Sequence, residues 1–293
     1  MNDAPAQVDL IAVLVAVTNG QPRVLTLENG HALPAGPLQT GHRSLQAGLR
    51  EWVEAQTRHP LGYVEQLYTF AGQQPGTGRG ISISYLGLSR EAAGDYPGAS
   101  WFGWYEYFPW EDRRAGNGPR AAALAALTAW AGRDETRAAR VAALFGVQGG
   151  WQDELVLQRY ELLWEARLVP EAVRATAPAG GTLVAGREMT LDHRRILATA
   201  IARLRAKIKY HPVVFELLPH EFTLLELQRT MEAIAGQSLH KPNFRRLIEQ
   251  QELVEETGHV ARLPAGRPAK LFRFRPAVLA ERAFAGSKLP LVK

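Results

Sequence analysis

Apolar residues follow two different periods along the first 110 residues. Runs rich in β-branched residues alternate with turn signals, as in VDLIAVLVAVTNGQPRVLTL, where the Asn-Gly pair at 19–20 predicts a tight hairpin. VEQLYTF and GISISYLGL predict two further strands. Between the strands, apolar residues recur every three or four positions from Ser44 to Thr57 and predict one helix.

The middle of the chain is helical in pattern and ends in a glycine-rich loop. Residues 118–145 are rich in alanine, and LQRYELLWEARLVPEAVR predicts another helix that ends in the loop APAGGTLVAG. We place a linker at 178–190, between an N-terminal domain at 1–185 and a C-terminal domain at 190–293. Residues 191–209 predict an amphipathic helix whose arginines and lysines lie outside the apolar stripe. This helix either bridges the two domains or forms part of a dimer interface.

Two short helices are predicted in FTLLELQRTMEAIAGQSLHKPNFRRLIEQ, residues 222–250. Thr223 stands three residues before Glu226, which is the spacing of a capping box, and Gly236 is suited to end that helix. Pro242 favours a first helical position and predicts the start of the second helix. The segment therefore predicts a helix-turn-helix.

The following segment, ELVEETGHVARLPAGRPAKLFRFR, predicts two strands joined by a Gly/Pro-rich loop, so that the whole is a winged helix. Residues 1–190 carry 16 Lys+Arg against 19 Asp+Glu, whereas residues 191–293 carry 18 against 10. A basic C-terminal domain that follows a mildly acidic N-terminal domain favours double-stranded DNA as the partner of the C-terminal domain. A winged helix that contacts protein is the alternative, and any of its arginines could instead pair with Glu255 or Glu256.

We predict DNA contacts from both parts of the winged helix. Asn243, Arg245 and Arg246 lie near the start of the second helix, where a recognition helix meets base edges or phosphates. The other predicted contacts are nearer to phosphates and comprise Thr223, Lys241, Arg267 and Lys270.

Composition excludes several classes of site. The chain is 46% apolar and 22% charged, which is typical of a folded soluble protein. It has no cysteine, so disulfides, thiolate metal sites and thiol nucleophiles are excluded. Neither a long apolar run nor a basic leader is present, and we expect a cytoplasmic protein without a membrane partner.

The stretch LPAGPLQTGHRSLQAGLREWVEAQT resembles the Nudix box, G-x5-E-x7-R-E-U-x-E-E-x-G-U, in which U is an apolar residue. Aligning Arg50 and Glu51 with the box places Gly36 at its first glycine and matches Trp52 and Glu54. The sequence departs from the box at four other positions, where it carries His42, Ala55, Thr57 and Arg58.

These departures bear on catalysis, because Nudix hydrolysis of a pyrophosphate uses carboxylates on one helix face to hold Mg²⁺. Positions 51, 54 and 55 would share that face, but Ala55 leaves only Glu51 and Glu54. We therefore predict no catalytic residue, no metal site and no cofactor, with Arg50 and Glu51 as a structural pair and His42 as a surface loop residue.

Taken together, the chain resembles the Nudix-related transcriptional regulators of NAD metabolism. YVEQLYTF, the segment 192–219 and the winged helix carry this resemblance beyond the box. It implies an α+β fold, in which an N-terminal Nudix-like α/β/α sandwich with a mixed sheet precedes a C-terminal winged helix-turn-helix domain. It also implies a homodimer that senses ADP-ribose or a similar nucleotide and then releases its DNA operator. The alternative is a Mg²⁺-dependent Nudix pyrophosphatase that carries a basic accessory domain.

The polar residues nearest a Nudix-like phosphate site are Arg50, Glu51, Glu54 and Arg79, and we predict that they bind the effector. Tyr68 and Phe70 either stack on a base or pack against the core. The aromatic run GASWFGWYEYFPWED, residues 98–112, has three candidate roles: a ligand lid, a dimer or interdomain surface, or local core packing. We favour the surface role.

Overall fold

The computed structural model describes residues 7–74, 78–91, 98–114, 116–175, 182–261 and 268–277. A mixed sheet forms the centre of the N-terminal region, with strand order β4-β5-β1-β2-β6 and β3 paired to β1. Its strands are β1 (Gln7–Thr18), β2 (Gln21–Leu27), β3 (Ala35–Pro37), β4 (Tyr63–Gln74), β5 (Gly78–Leu88) and β6 (Ala99–Gly103).

The first hairpin and the sheet are as the sequence predicts. Asn19 and Gly20 both have positive φ, 53° and 70°, which suits a tight turn between β1 and β2. β1 runs parallel to β5 and antiparallel to β2 and β3. The mixed character of the predicted sheet is therefore confirmed.

Helices cover both faces of the sheet. On one face lies helix α1 (Leu45–Thr57), which begins after Ser44 as its N-cap and packs on the even-numbered residues of β1. On the other face lies helix α7 (His193–Lys207), which shares a core with the odd-numbered residues of β1. The strand alternation thus builds two cores, and the α/β/α arrangement is confirmed.

Among the described residues, five α-helices lie between β6 and α7: α2 (Trp104–Tyr107), α3 (Gly118–Ala131), α4 (Glu135–Leu144), α5 (Val156–Glu165) and α6 (Pro170–Ala175). The single helix predicted over LQRYELLWEARLVPEAVR is wrong. The chain reverses at Arg167, whose φ is 56°, and restarts at Pro170, so that α5 and α6 are separate.

The winged helix has the predicted order of elements. Helix α8 (Leu224–Ala235) begins at the Thr223–Glu226 capping box and ends at Gly236, and helix α9 (Lys241–Gln251) carries a proline in its first turn. Strands β7 (Val254–Ala261) and β8 (Ala269–Phe274) form the antiparallel wing. The wing tip, with Arg262 and Arg267, lies outside the described residues.

The aromatic run belongs mainly to the core rather than to a surface. Trp104, Tyr107, Phe108 and Trp110 are all buried among the helices that cover the sheet. Tyr105 contacts the winged helix, where its hydroxyl donates to the carbonyl of Ala233 at 2.6 Å. The favoured surface role is therefore wrong for most of the run, because these side chains fill the space between the sheet and the helical segment.

Helix α7 packs against both parts of the chain. Its predicted apolar stripe is buried, and it contacts the sheet, α5 and α8. Two of its arginines, Arg194 and Arg205, are buried as well, contrary to the expectation that its basic residues lie outside the stripe. Among the helices in the described ranges, none is both long and apolar enough to cross a bilayer.

Candidate DNA interface and effector cavity

Helix α9 presents a polar face to solvent. Lys241, Asn243, Arg245 and Arg246 are all exposed. On the opposite face, Phe244 and Ile248 are buried against the rest of the winged helix, together with the half-buried Leu247. Within the part of the chain that the structure describes, the three cations of this face form no ion pair, so they are available for an external anion.

The basic residues of the wing do have partners. Lys270 Nζ lies 2.8 Å from Glu256, and Arg273 Nε lies 2.6 Å from Glu255. The alternative pairing with Glu255 and Glu256 is therefore present for these two residues. Both pairs are exposed, and such pairs contribute about 0–1 kcal/mol, so a phosphate can compete for either cation.

Thr223 has a structural role that limits its predicted phosphate contact. Its hydroxyl accepts a hydrogen bond from the backbone N–H of Glu226 and donates one to the Glu226 carboxylate at 2.9 Å. The residue is buried, and both hydrogen-bonding functions of the hydroxyl are used. The predicted capping box is confirmed, and the side chain has no free donor for DNA.

The Nudix-like loop and helix differ from expectation in two contacts. His42 is in the loop, but its side chain is buried, and its Nε2 lies 3.5 Å from the carboxylate of Glu51. Arg50 does not pair with Glu51, because its guanidinium donates to the carbonyls of Leu61 and Gly62. The predicted surface position of His42 and the predicted Arg50–Glu51 pair are therefore wrong.

The donors on α1 do not fit the Mg²⁺ site of a Nudix hydrolase. Glu51 and Glu54 are exposed carboxylates, and Ala55 stands where a third ligand would share their face. In the described ranges, no cluster of three or more His, Asp or Glu side chains has a geometry suited to a metal. The residues present thus provide two of the three carboxylates that this helix face would need.

A cavity of about 190 Å³ lies between the sheet and the start of α7. Strands β1, β3, β4 and β5 and the first residues of α7 contribute its walls, and the lining residues are Asp9, Ile11, Ala35, Phe70, Gly80, Ser82, Leu191, Asp192, His193 and Ile196. An aromatic ring, aliphatic side chains, a hydroxyl and two carboxylates meet here, with no cationic side chain in the described lining. This combination suits the base or sugar of a nucleotide better than its phosphates.

The tautomer of His193 follows from its contacts. Its Nδ1 accepts a hydrogen bond from the backbone N–H of Leu33 at 3.0 Å, so the proton of the neutral ring lies on Nε2. Burial lowers the pKa of His193 to about 4, which keeps the ring neutral at pH 7. The N–H of Nε2 therefore belongs to a residue that lines the cavity together with Asp9 and Asp192.

His193→Asn is expected to reduce the pH dependence of stability. A histidine whose pKa is lower in the folded than in the unfolded chain, about 4 against about 6.5, costs stability as the pH falls below 6.5. Between pH 7 and pH 5 this cost is about 2 kcal/mol, and asparagine can accept from Leu33 N–H without titrating. Urea unfolding of both proteins at the two pH values measures the difference. Equal losses in both proteins would contradict the assignment of this titration to His193.

The predicted effector residues do not line this cavity. Arg50, Glu51 and Glu54 belong to α1 on the opposite face of the sheet, and the side chain of Arg79 lies outside the described part of the chain. Their effector role stays a prediction. Phe70 does line the cavity, whereas Tyr68 is 59% exposed and its ring lies edge-to-face with that of Phe70, with 5.0 Å between the ring centroids.

Sequence reasoning missed Asp9, Ser82, Asp192 and His193 as cavity residues. Each is polar within or beside an apolar run: Asp9 interrupts VDLIAVLVAV, and Asp192 and His193 open the apolar helix α7. That interruption was the available signal. It does not reveal that the four residues meet, because they come from three different elements.

The winged helix in the C-terminal region matches a known family. Residues 214–274 match the NrtR DNA-binding winged helix domain. The winged helix is of the NrtR type. This match includes α8, α9 and both strands of the wing.

One curated relative and several solved structures are similar to this chain. The ADPR responsive transcriptional repressor NtrR of Acinetobacter baylyi is 40% identical over 87 residues, which are 30% of this chain and 34% of the relative. The match thus spans about a third of that relative's length.

The structural likeness extends over almost the whole chain. Shewanella oneidensis NrtR complexed with a 27mer DNA aligns with a TM-score of 0.54 at 21% identity, covering 93% of this chain and 95% of NrtR. A MutT/nudix family protein from Enterococcus faecalis aligns with a TM-score of 0.51 at 16% identity, covering 94% and 88%. At these identities the likeness shows the fold: a Nudix-like domain followed by the NrtR-type winged helix.

Proposed function

We propose that this protein is a transcriptional repressor that binds double-stranded DNA as a homodimer, and that ADP-ribose or a related nucleotide releases it from the DNA. The observation that carries the proposal is the NrtR-type winged helix, whose α9 exposes Asn243 and three cations, Lys241, Arg245 and Arg246, that form no ion pair among the described residues. Lys270, and Arg267 beyond the described residues, would add phosphate contacts from the wing. The similar repressor of Acinetobacter baylyi is named for its response to ADPR, which supports this choice of effector.

The cavity beside α7 is our proposed site for the nucleoside part of the effector. Phe70 offers an aromatic surface, His193 offers a donor, and the carboxylates of Asp9 and Asp192 can accept from hydroxyl or amino groups. Asp192 pairs with Arg195, and the described lining has no cationic side chain to hold phosphates, so the pyrophosphate would lie outside this cavity.

A regulator fits the chain better than a Nudix pyrophosphatase does. The α1 face lacks the third carboxylate, and Glu51 lies beside His42. Arg50, whose position in the Nudix box is matched, is engaged with two backbone carbonyls. These contacts favour binding of a nucleotide over its Mg²⁺-dependent cleavage.

Fluorescence anisotropy with duplexes from the upstream region of neighbouring genes tests the proposal. At one fixed salt concentration, we expect a Kd of about 10 nM or tighter for one fragment, which is typical of specific recognition. ADP-ribose should weaken this binding and be recovered intact after incubation with Mg²⁺, whereas an unrelated nucleotide should have no effect. Affinity no higher than for random DNA would refute the repressor, and Mg²⁺-dependent release of AMP would favour the pyrophosphatase.

A further inference from the structure

Helix α7 touches the effector cavity at one end and the winged helix at the other. His193 and Ile196, in its first turn, line the cavity. Arg205, in its last turn, contacts α8. Arg205 is twelve positions after His193, which is about 18 Å along a helix axis. A single continuous helix therefore connects the two places.

The contact at the far end of α7 caps the C-terminus of α8. Arg205 Nε donates to the carbonyl of Ile234 at 2.8 Å, and the Tyr105 hydroxyl donates to the carbonyl of Ala233 at 2.6 Å. The last carbonyls of a helix have no partner within it, so these two donors satisfy groups that would otherwise be orphaned in a buried place. The end of α8 is thus held by the body of the protein.

Buried charges fix the position of Arg205 itself. Its Nη1 lies 2.6 Å from the Glu111 carboxylate, which also binds Arg159 at 2.6 Å. All three side chains are inaccessible to solvent, and separating such charges is costly. Arg205 therefore cannot leave Glu111 without a large penalty, so a shift of α7 moves Arg205 and this cluster together.

The backbone after α8 is equally close to the cluster. Gly236 has a φ of +68°, and a Cβ there would lie 2.3 Å from the carbonyl oxygen of Glu111. Its own carbonyl accepts from the N–H of Arg113 at 2.7 Å. The turn between α8 and α9 therefore packs on the segment that contains Glu111, the residue that holds Arg205. A displacement of this segment would reach α9 through that short turn.

From these contacts we propose that α7 transmits the effector signal, and that Tyr105 and Arg205 are positioning residues that hold α8 in its DNA-binding orientation. The inference rests on the proposed function. A nucleotide in the cavity displaces the first turn of α7, and the displacement changes how Arg205 and Tyr105 hold the end of α8. DNA affinity then changes by the ratio of the nucleotide's affinities for the two arrangements.

Tyr105→Phe, compared with Tyr107→Phe, tests this inference. Each substitution removes one buried hydroxyl that donates to a backbone carbonyl. The Tyr105 hydroxyl donates to Ala233 of α8, in the winged helix, whereas the Tyr107 hydroxyl donates to Gly30, in the N-terminal region. The readout is the coupling factor, which is the Kd for operator DNA with saturating ADP-ribose divided by the Kd without it. We expect the factor to fall about five-fold in Tyr105→Phe, the size of one hydrogen bond, and to stay unchanged in Tyr107→Phe.

The outcomes separate this inference from the proposed function. If ADP-ribose does not alter DNA binding by the wild-type protein, the proposed function fails and the inference fails with it. If the wild type responds and Tyr105→Phe keeps the full factor, the inference alone is overturned. An equal decrease of the coupling factor in the two variants would also overturn it, because removal of any buried hydroxyl would then have the same effect.

A distance measurement gives a second test that does not depend on DNA affinity. The chain has no cysteine, so cysteines at the exposed positions Glu135 and Gln250 can be spin-labelled selectively in samples diluted with unlabelled chain. ADP-ribose should shift the distance between the body and α9 in the wild-type background. In the Tyr105→Phe background we expect a broader distribution of label distances and a smaller shift. An unchanged shift would contradict the proposed role of Tyr105.

Discussion

Replacing Arg245 and Arg246 together by alanine is expected to weaken operator binding by roughly 2–6 kcal/mol, since one good bidentate base contact is worth roughly 1–3 kcal/mol. Both side chains are exposed on α9 and form no ion pair within the described part of the chain. Binding therefore does not require an internal partner to be released first.

Folding of α9 should survive this double substitution. The helix is held by Phe244 and Ile248 on its opposite face, and alanine is the residue most favourable to helix formation. The loss of affinity can thus be attributed to DNA contacts once circular dichroism shows an unchanged melting temperature.

Arg133→Ala with Arg137→Ala provides a control that is matched in charge. These two exposed arginines lie at the junction of α3 and α4, outside the winged helix, and their removal changes the net charge by the same amount. We expect the control to lose little affinity. Equal weakening by both double variants would mean that α9 contributes only net charge, and unchanged binding by the α9 variant would refute its assignment as the recognition helix.

Salt titration then separates base contacts from phosphate contacts. Removing a phosphate contact lowers the slope of log K against log salt by about one and weakens all sequences alike. Removing a base contact relaxes the preference for the operator over a site mutated at one base pair. Measuring each single variant assigns one of these roles to Arg245 and to Arg246.

Glu111→Ala is expected to lower the free energy of unfolding by about 3–5 kcal/mol, the usual effect of removing one member of a buried ion pair. The variant leaves Arg159 and Arg205 buried without their carboxylate. Chemical denaturation measures the loss. Glu165→Ala is the control, because Glu165 pairs with Arg140 on the surface and should contribute about 0–1 kcal/mol. Similar small losses in both variants would show that the buried cluster adds no net stability.

Protonation of Glu111 at low pH should reproduce part of the destabilisation that Glu111→Ala causes. Burial raises the pKa of Glu111, but the charges of Arg159 and Arg205 outweigh burial and hold this pKa below its ordinary value. A carboxylate with a depressed folded pKa stabilises the protein above its unfolded pKa, about 4.3, and this contribution is lost as the pH falls through the folded value. The unfolding free energy of the wild type should therefore fall further than that of Glu111→Ala below about pH 4.3.

Much of the local structure could be predicted from sequence, because the signals lie within a few residues of one another. The capping box at Thr223, the stop at Gly236, the turn at 19–20 and the apolar stripe of α7 are all confirmed. The order of helices and strands also indicated the winged helix, whereas the Nudix-like domain was indicated by the resemblance to the Nudix box. In α5 and α6, by contrast, the periodicity continued through Arg167 although the backbone reversed there, so the boundary was missed.

The pairing of buried charges could not be predicted in the same way. Arg194 and Arg205 are buried on α7, although the sequence analysis placed its basic residues outside the apolar stripe. Their partners, Glu171 and Glu111, lie 23 and 94 residues earlier in the chain. No local pattern selects these carboxylates, because the choice depends on which helices pack together.

The sequence by itself thus determined most of the elements, their order and the basic face of α9, since periodicity, capping and charge act over one or two turns. Only the tertiary structure decided that Asp9, Phe70 and His193 share one cavity and that α7 joins this cavity to α8. Such groupings bring together side chains from distant segments. They are fixed by how the two cores pack, a property of the whole fold that short-range spacing does not encode.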